Sequence, residues 1–150
     1  NYIINDDYTI DVEGNVYLYG KGLDKFPEYI KFGRVGGSFD CSNNQLVSLE
    51  GCPVSVGGSF DCSNNQLVSL EGCPVSVGGR FDCRNNQLVS LEGCPVSVSG
   101  SFSCSNNHLV SLEGCPKKVS DSFYCSDNKK RFSKEEVKRV CKVNFYDICV

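Results

Sequence analysis

The sequence predicts a β-rich solenoid: one parallel sheet, an N-terminal β-hairpin cap and a short C-terminal helical cap. Three observations carry that expectation. A block of 21 residues recurs in register, its apolar residues alternate where a strand would lie, and the pattern decays at both ends. The block VGGSFDCSNNQLVSLEGCPVS at 35–55 returns unchanged at 56–76. It recurs as VGGRFDCRNNQLVSLEGCPVS at 77–97 and VSGSFSCSNNHLVSLEGCPKK at 98–118, and a fifth copy opens with VSDSFYCSDN at 119. Such short-period repetition marks an architecture whose units bury their apolar faces only against one another.

Within each block, Ser38–Ser42 alternates with period two, so Phe39 and Cys41 point one way and Ser38, Asp40 and Ser42 the other. One such strand is unstable alone. Stacked about 4.8 Å from its copies, it becomes a parallel sheet with an inner ladder of Phe and another of Cys. Asn43-Asn44 turns the chain, Leu46 and Leu49 close the core from the far side, and Gly51-Cys52-Pro53 turns it again before Val56 leads into the next strand. The stretch between Leu49 and Pro53 is too short for a helix, so an irregular or 3₁₀-like path is expected there.

The series Phe39-x-Cys41-x-x-Asn44-x-Leu46-x-x-Leu49 reads as LxLxxNxLxxL with Phe and Cys in its first two slots. On these residues the chain resembles the leucine-rich-repeat family, in its short bacterial form. The wording SFDCSNNQLxSLEGCP is similar to repeat proteins encoded by bacteriophages and their hosts, and the resemblance covers 35–128 in register. It implies a right-handed coil, with Asn44, Asn65, Asn86, Asn107 and Asn128 buried as a ladder bonding backbone groups in the bend. It also implies that the strands' outward, concave face binds a protein. One departure stands out: Gly36 occupies a position usually apolar in the family, so a bulge or altered turn is expected at Gly36-Gly37.

Solenoid ends must differ from the middle, because they expose both core and unpaired strand edges. Residues 1–34 read as an N-terminal cap with a degenerate zeroth repeat, Val16-x-Leu18-x-x-Lys21-x-Leu23-x-x-Phe26. Tyr8–Val12 before it predicts a hairpin onto the zeroth strand. Residues 35–128 form the repeat array and 129–150 the C-terminal cap. There, Ser133-Lys134-Glu135-Glu136 is a capping box, and Val137, Val140 and Cys141 predict a short helix over about 134–142, lying on the last coil. Val143–Val150 reads as extended, and both ends read as sealed.

The 150 residues fit one domain, and no apolar run is long enough to cross a membrane. Net charge is −3. Residues 1–115 carry 6 Lys/Arg against 13 Asp/Glu, giving −7, while 116–150 carry 9 against 5, giving +4. So acidic a body argues against nucleic acid, whose phosphates demand clustered cations. The basic residues Lys129, Lys130, Arg131, Lys134, Lys138, Arg139 and Lys142 are read as a solvated helix face.

Nine of the 11 cysteines fall into two columns, Cys41/62/83/104/125 and Cys52/73/94/115. They lack the CxxC pairs and accompanying His of zinc sites, so no metal or cofactor is expected, and they read as small buried hydrophobes. Unpaired thiols fit a cytoplasmic location, the host cell's if the chain is phage-encoded. A Cys141–Cys149 pair is the alternative for the tail. The chain starts at Asn1 rather than Met, which leaves a trimmed N-terminus and secretion open.

On the outward face the columns are Ser38/Ser59/Arg80/Ser101/Ser122, Asp40/Asp61/Asp82/Ser103/Tyr124 and Ser42/Ser63/Arg84/Ser105/Ser126. Three stacked aspartates make a negative stripe that a cationic partner would relieve. Arg80, Arg84 and Tyr124 break otherwise copied units, and duplication explains the copies but not the breaks. The partner-binding candidates are therefore Asp40, Asp61, Arg80, Asp82, Arg84, Ser103 and Tyr124. The Glu50/71/92/113 ladder and His108, the single histidine, read as solvated, and Val47, Val54 and their equivalents as partly buried. Identical repeats give identical environments, which argues against a split-pKa carboxylate pair. No nucleophile elbow or phosphate loop occurs.

The expected function is a non-enzymatic protein-interaction module. By resemblance it is a phage or bacterial accessory protein that binds and modulates a host protein, such as a defence factor. The free chain is expected to be a monomer. The alternative is a structural, adhesin or filament spacer built from stacked repeats.

Overall fold

The computed structural model describes residues 1–143 and 148–150, and is a β-solenoid of about seven turns. Each central turn contributes two very short strands to two different sheets. In chain order the elements are β1 (Tyr2–Ile4), β2 (Thr9–Val12), β3 (Val16–Tyr17), β4 (Lys31–Val35) and β5 (Phe39–Asp40). There follow β6 (Ser55–Val56), β7 (Phe60–Asp61), β8 (Ser76–Val77), β9 (Phe81–Asp82), β10 (Ser97–Val98) and β11 (Phe102–Ser103). The last are β12 (Lys118–Val119), β13 (Phe123–Tyr124), α1 (Lys134–Val140), β14 (Lys142–Val143) and β15 (Ile148–Cys149). The first sheet runs β1-β2-β4-β6-β8-β10-β12-β14 and the second β15-β13-β11-β9-β7-β5-β3. All pairings are parallel except β1 with β2.

The single sheet expected from the sequence is thus two. The second strand of each turn comes from the stretch just before the glycine corner, Pro-Val-Ser-Val in the central copies, where Val35, Val56, Val77, Val98 and Val119 are buried. Between the strands the expected altered turn at Gly36-Gly37 is a corner joining the two sheets. Coils approach so closely there that a Cβ on Gly57 would lie 2.2 Å from the Gly36 carbonyl oxygen. The fourth copy has Ser99 in that place and stretches its N–H bond to Val77 O to 3.5 Å, against 2.9 Å for Gly78 to Val56 O.

The core is the pair of predicted ladders. Phe39, Phe60, Phe81, Phe102 and Phe123 are buried, with successive ring centroids 5.9, 5.4, 5.5 and 5.1 Å apart. Phe26 and Phe32 close the row at Phe39. Leu46, Leu49 and their copies complete the interior. All eleven cysteines are unpaired, Cys141 and Cys149 included. The thiols of Cys41, Cys62, Cys83 and Cys104 each donate to a carbonyl one coil on, as Cys83 Sγ does to Ser103 O at 3.3 Å. Burial pushes Cys73, Cys125 and Cys141 up to about 12.

The asparagine ladder satisfies what the short strands leave open. Asn86 Nδ2 donates to the carbonyls of Cys62, Cys83 and Arg84, and its Oδ1 accepts the Leu67 N–H of the preceding coil at 3.0 Å. Asn65 and Asn107 repeat the pattern. Ahead of each stands a residue at φ 53–56°, Asn43, Asn64, Asn85, Asn106 or Asp127. These are residue types that tolerate the left-handed region. Beyond the leucines, Leu49 O accepts from Cys52 N across a β-turn with Gly51 at φ 91°. That path is a turn closed by glycine rather than a 3₁₀ segment.

The ends differ in detail from expectation. The hairpin is β1 on β2, not β2 on the zeroth strand; β3 instead joins the second sheet beside β5. The N-terminus is therefore not sealed: one sheet ends on β1 and the other on β3, and Tyr2, Ile3 and Ile4 are exposed. At the far end α1 keeps its capping box, with Ser133 as N-cap and Glu136 reaching back. It lies between β13 and β14 and so belongs to the last turn rather than lying over it. Val143 and Ile148–Cys149 are extended as expected, whereas Lys142, expected to end the helix, begins β14; residues 144–147 of that expectation fall outside the described residues. Val47, Val68, Val89 and Val110, and Val54, Val75 and Val96, are 55–71% exposed rather than partly buried. They flank leucines and prolines that already fill the interior. No helix is long and apolar enough to cross a membrane among the described residues.

Candidate functional site

The outer face of the second sheet gathers every candidate read from the sequence. Strict pairing aligns Asp40 with Asp61, Asp61 with Asp82, Asp82 with Ser103 and Ser103 with Tyr124. The column also extends backward, for Tyr17 pairs with Asp40. Tyr17 and Tyr19 are 63% and 59% exposed and put two aromatic rings at the N-terminal end of this face. The zeroth repeat held the signal that they belong here, since Tyr17 occupies the slot between Val16 and Leu18.

The aspartates have a local duty first. Asp40 Oδ1 accepts the Ser42 N–H and hydroxyl, and Asp61 Oδ1 accepts the Ser63 N–H at 2.9 Å. These are Asx-type bonds that secure the strand exit. Each carboxylate keeps its second oxygen, and neither is ion-paired among the described residues.

Asp82 departs from the expected water-facing stripe, being 1% exposed. The reason is steric and electrostatic. Arg80 and Arg84 stand two residues to either side on the same face, and both fold over it. Asp82 Oδ2 takes Arg80 Nη2, with Arg84 Nε at 3.4 Å, while Oδ1 accepts the Arg84 backbone N–H at 3.1 Å. Burial pushes the Asp82 carboxyl above the usual range, an effect opposed by the Arg84 N–H and the Arg80 guanidinium. The triad carries net charge +1, so the stripe is a divided face: acidic at Asp40 and Asp61, cationic at the arginines.

Next to the arginines the column switches to Ser103, removing the carboxylate that would have neutralised them. The result is a depression of about 350 Å³ lined by Arg80, Arg84, Ser101, Ser103, Ser105 and Tyr124. Both guanidiniums keep unused donors there, at 44% and 48% side-chain exposure. The four departures on the outward columns thus meet in one place, while others, such as Ser99, His108 and Lys117, lie outside it.

Other sequence candidates lie elsewhere. Glu50, Glu71, Glu92, Glu113 and His108 are exposed and line none of this depression. The basic tail is exposed too, and Lys130 pairs with Glu136 at 2.6 Å. Among the described residues no cluster of His, Cys, Asp or Glu could hold a metal ion.

Comparison of the chain with known protein families, with curated proteins and with solved structures finds no match. The geometry establishes a repeat-based parallel β-solenoid with a 21-residue period.

Proposed function

We propose that this chain is a non-enzymatic recognition module that binds a protein through the outer face of its second sheet. One observation carries the reading. Across the three outward columns of the five copies, only Arg80, Arg84, Ser103 and Tyr124 depart from the repeated residue, and the fold brings those four together around one depression. A rigid rod with a polar, unevenly charged face suits recognition. The nearest acid, Asp82, is already held by two arginines and so is poorly placed as a general base.

On the leucine-rich-repeat resemblance, the proposed setting is a phage or bacterial accessory protein that modulates a host factor in the host-cell cytoplasm. The test is affinity capture from bacterial lysate with the wild-type chain beside an Arg80→Ala/Arg84→Ala/Tyr124→Ala variant. Partners should be retained by the first and lost by the second. Equal capture by both would overturn the choice of face.

A second reading, a structural or filament spacer, is favoured by the exposed apolar edge strand Tyr2–Ile4. Such edges template pairing with another chain. Sedimentation of the free chain separates the two: a monomer supports the recognition module, and concentration-dependent growth supports the spacer.

A further inference from the structure

The divided face has a definite polarity and spacing, and both constrain what can lie on it. Asp82 consumes one guanidinium edge from each arginine and holds both groups toward the serine floor. An arginine offers five N–H donors in a planar fork, so most remain free. The floor adds hydroxyls. Ser101 Oγ accepts from Ser122 N at 3.4 Å and Ser105 Oγ from Ser126 Oγ at 3.3 Å, which leaves their own protons to donate outward. The depression is therefore an array of donors with one net positive charge. Two strands away, Asp61 has an oxygen without a cation, and Asp40 stands one strand further.

We propose that this face takes an extended, bipolar segment of a partner protein, its carboxylate seated in the depression of Arg80, Arg84 and Ser101–Ser105 and its ammonium or guanidinium on Asp61. The proposal rests on the recognition reading above and specifies its ligand. Charge selects a carboxylate over a phosphoryl group: net +1 balances a monoanion, whereas a dianion would be left in excess beside Asp61. Spacing selects the separation. Adjacent strands lie about 4.8 Å apart, so Asp61 and Ser103 are about 10 Å apart, close to one three-residue turn of a polyproline-II segment at about 3.1 Å per residue, which sets positions i and i+3 on the same side. The segment thus carries its opposite charges at positions i and i+3, and Tyr124 borders the acidic end.

The test uses the full chain, ¹⁵N-labelled, titrated with acetylated and amidated tetrapeptides. The probes are Lys-Ala-Ala-Glu and Glu-Ala-Ala-Lys, their single-charge Gln versions, and Lys-Ala-Ala-phosphoserine. At least one direction of the doubly charged peptide should saturate, shifting the Asp61 and Ser103 amides and the Arg84 Nε–H together. Replacing either peptide charge should weaken binding about two- to fivefold, the range of an exposed ion pair. Arg84→Gln, which leaves the Arg80–Asp82 pair in place, should weaken the Glu-bearing peptides and leave the Asp61 response to the Lys-Ala-Ala-Gln peptide. Absence of saturable shifts from both directions, or equal binding by the neutralised peptides, overturns the proposal. So does a phosphoserine peptide that outcompetes the carboxylate. If lysate capture still depends on the arginines and Tyr124 while the peptides fail, this ligand chemistry is wrong and the recognition reading stands.

Discussion

Asn86 offers the sharpest test of how the coils hold together. Replacing it with alanine removes three donated hydrogen bonds and one accepted bond, but the losses are unequal. The Cys62 carbonyl keeps Asn65, the Cys83 carbonyl keeps Asn107, and the Arg84 carbonyl keeps the Asn64 N–H. Only the Leu67 N–H, on a fully buried residue, loses its sole partner. An orphaned buried donor costs about 1–3 kcal/mol, and each bond lost from a group that keeps another partner about 0.5–1.5 kcal/mol. Asn86→Ala should therefore destabilise by about 2.5–7.5 kcal/mol, lowering the melting temperature by about 5 °C or more in a chain of this size. Urea and thermal melts read by circular dichroism measure both, with exposed Gln87→Ala as the reference. Asn86→Asp sharpens the argument, since it keeps an acceptor for Leu67 while setting a carboxylate against carbonyl oxygens. Its folded-state pKa would rise, so its deficit relative to wild type should be smallest near pH 4 and grow as pH rises through that raised value. If Asn86→Ala lies within about 1 kcal/mol of Gln87→Ala, the ladder is not what binds one coil to the next.

Three further outcomes follow from the same geometry. Phe81→Ala, in the middle of the ring ladder, should cost about 3–5 kcal/mol in a urea melt, because both neighbouring rings are fixed and the cavity cannot collapse. Alkali should unfold the protein cooperatively shortly above pH 9. The buried thiols stay protonated when folded and ionise when unfolded, and each contributes about 1.4 kcal/mol per pH unit between its unfolded and raised folded values. A chain holding its circular dichroism unchanged to pH 11 would contradict thiol burial. In acid, the Lys130 ammonium and the Ser133 N–H hold the Glu136 carboxyl down at about 2, so its contribution is present above about pH 4.5 and lost toward pH 2. NMR signals of Lys134–Val140 should broaden or shift in that window, and Glu136→Gln should remove the pH dependence.

Much of this molecule could be read from its residues. The 21-residue period set the stacking, period-two alternation sent Phe39 and Cys41 inward, and the Asn44 column and Ser133 capping box fell where their bonding chemistry placed them. The misses share a cause. A two-residue strand such as Ser55–Val56 is too short to show periodicity, and Val54 is exposed while Val56 is buried, so no alternation marks the second sheet. Register put Arg80, Asp82 and Arg84 on one face, but no pattern reveals that two long side chains will close over the carboxylate between them. Tyr17 and Tyr19 are hard to see because the zeroth repeat matches the template only at its apolar slots. Residue type alone puts the valines beside Leu46 and Pro53 partly inside, whereas the filled interior turns them outward.

The interchangeability of the middle coils has a consequence for how such a face changes over generations. Residues 35–55 and 56–76 are the same words, and each coil offers the next the same carbonyls, ring and amide. Losing or gaining one whole copy leaves every interior partnership intact, yet moves Tyr17 and Tyr19 toward or away from the arginines by one step of about 4.8 Å. Recombination between stretches encoding identical coils would thus work as a ruler with discrete marks, altering reach without touching the fold.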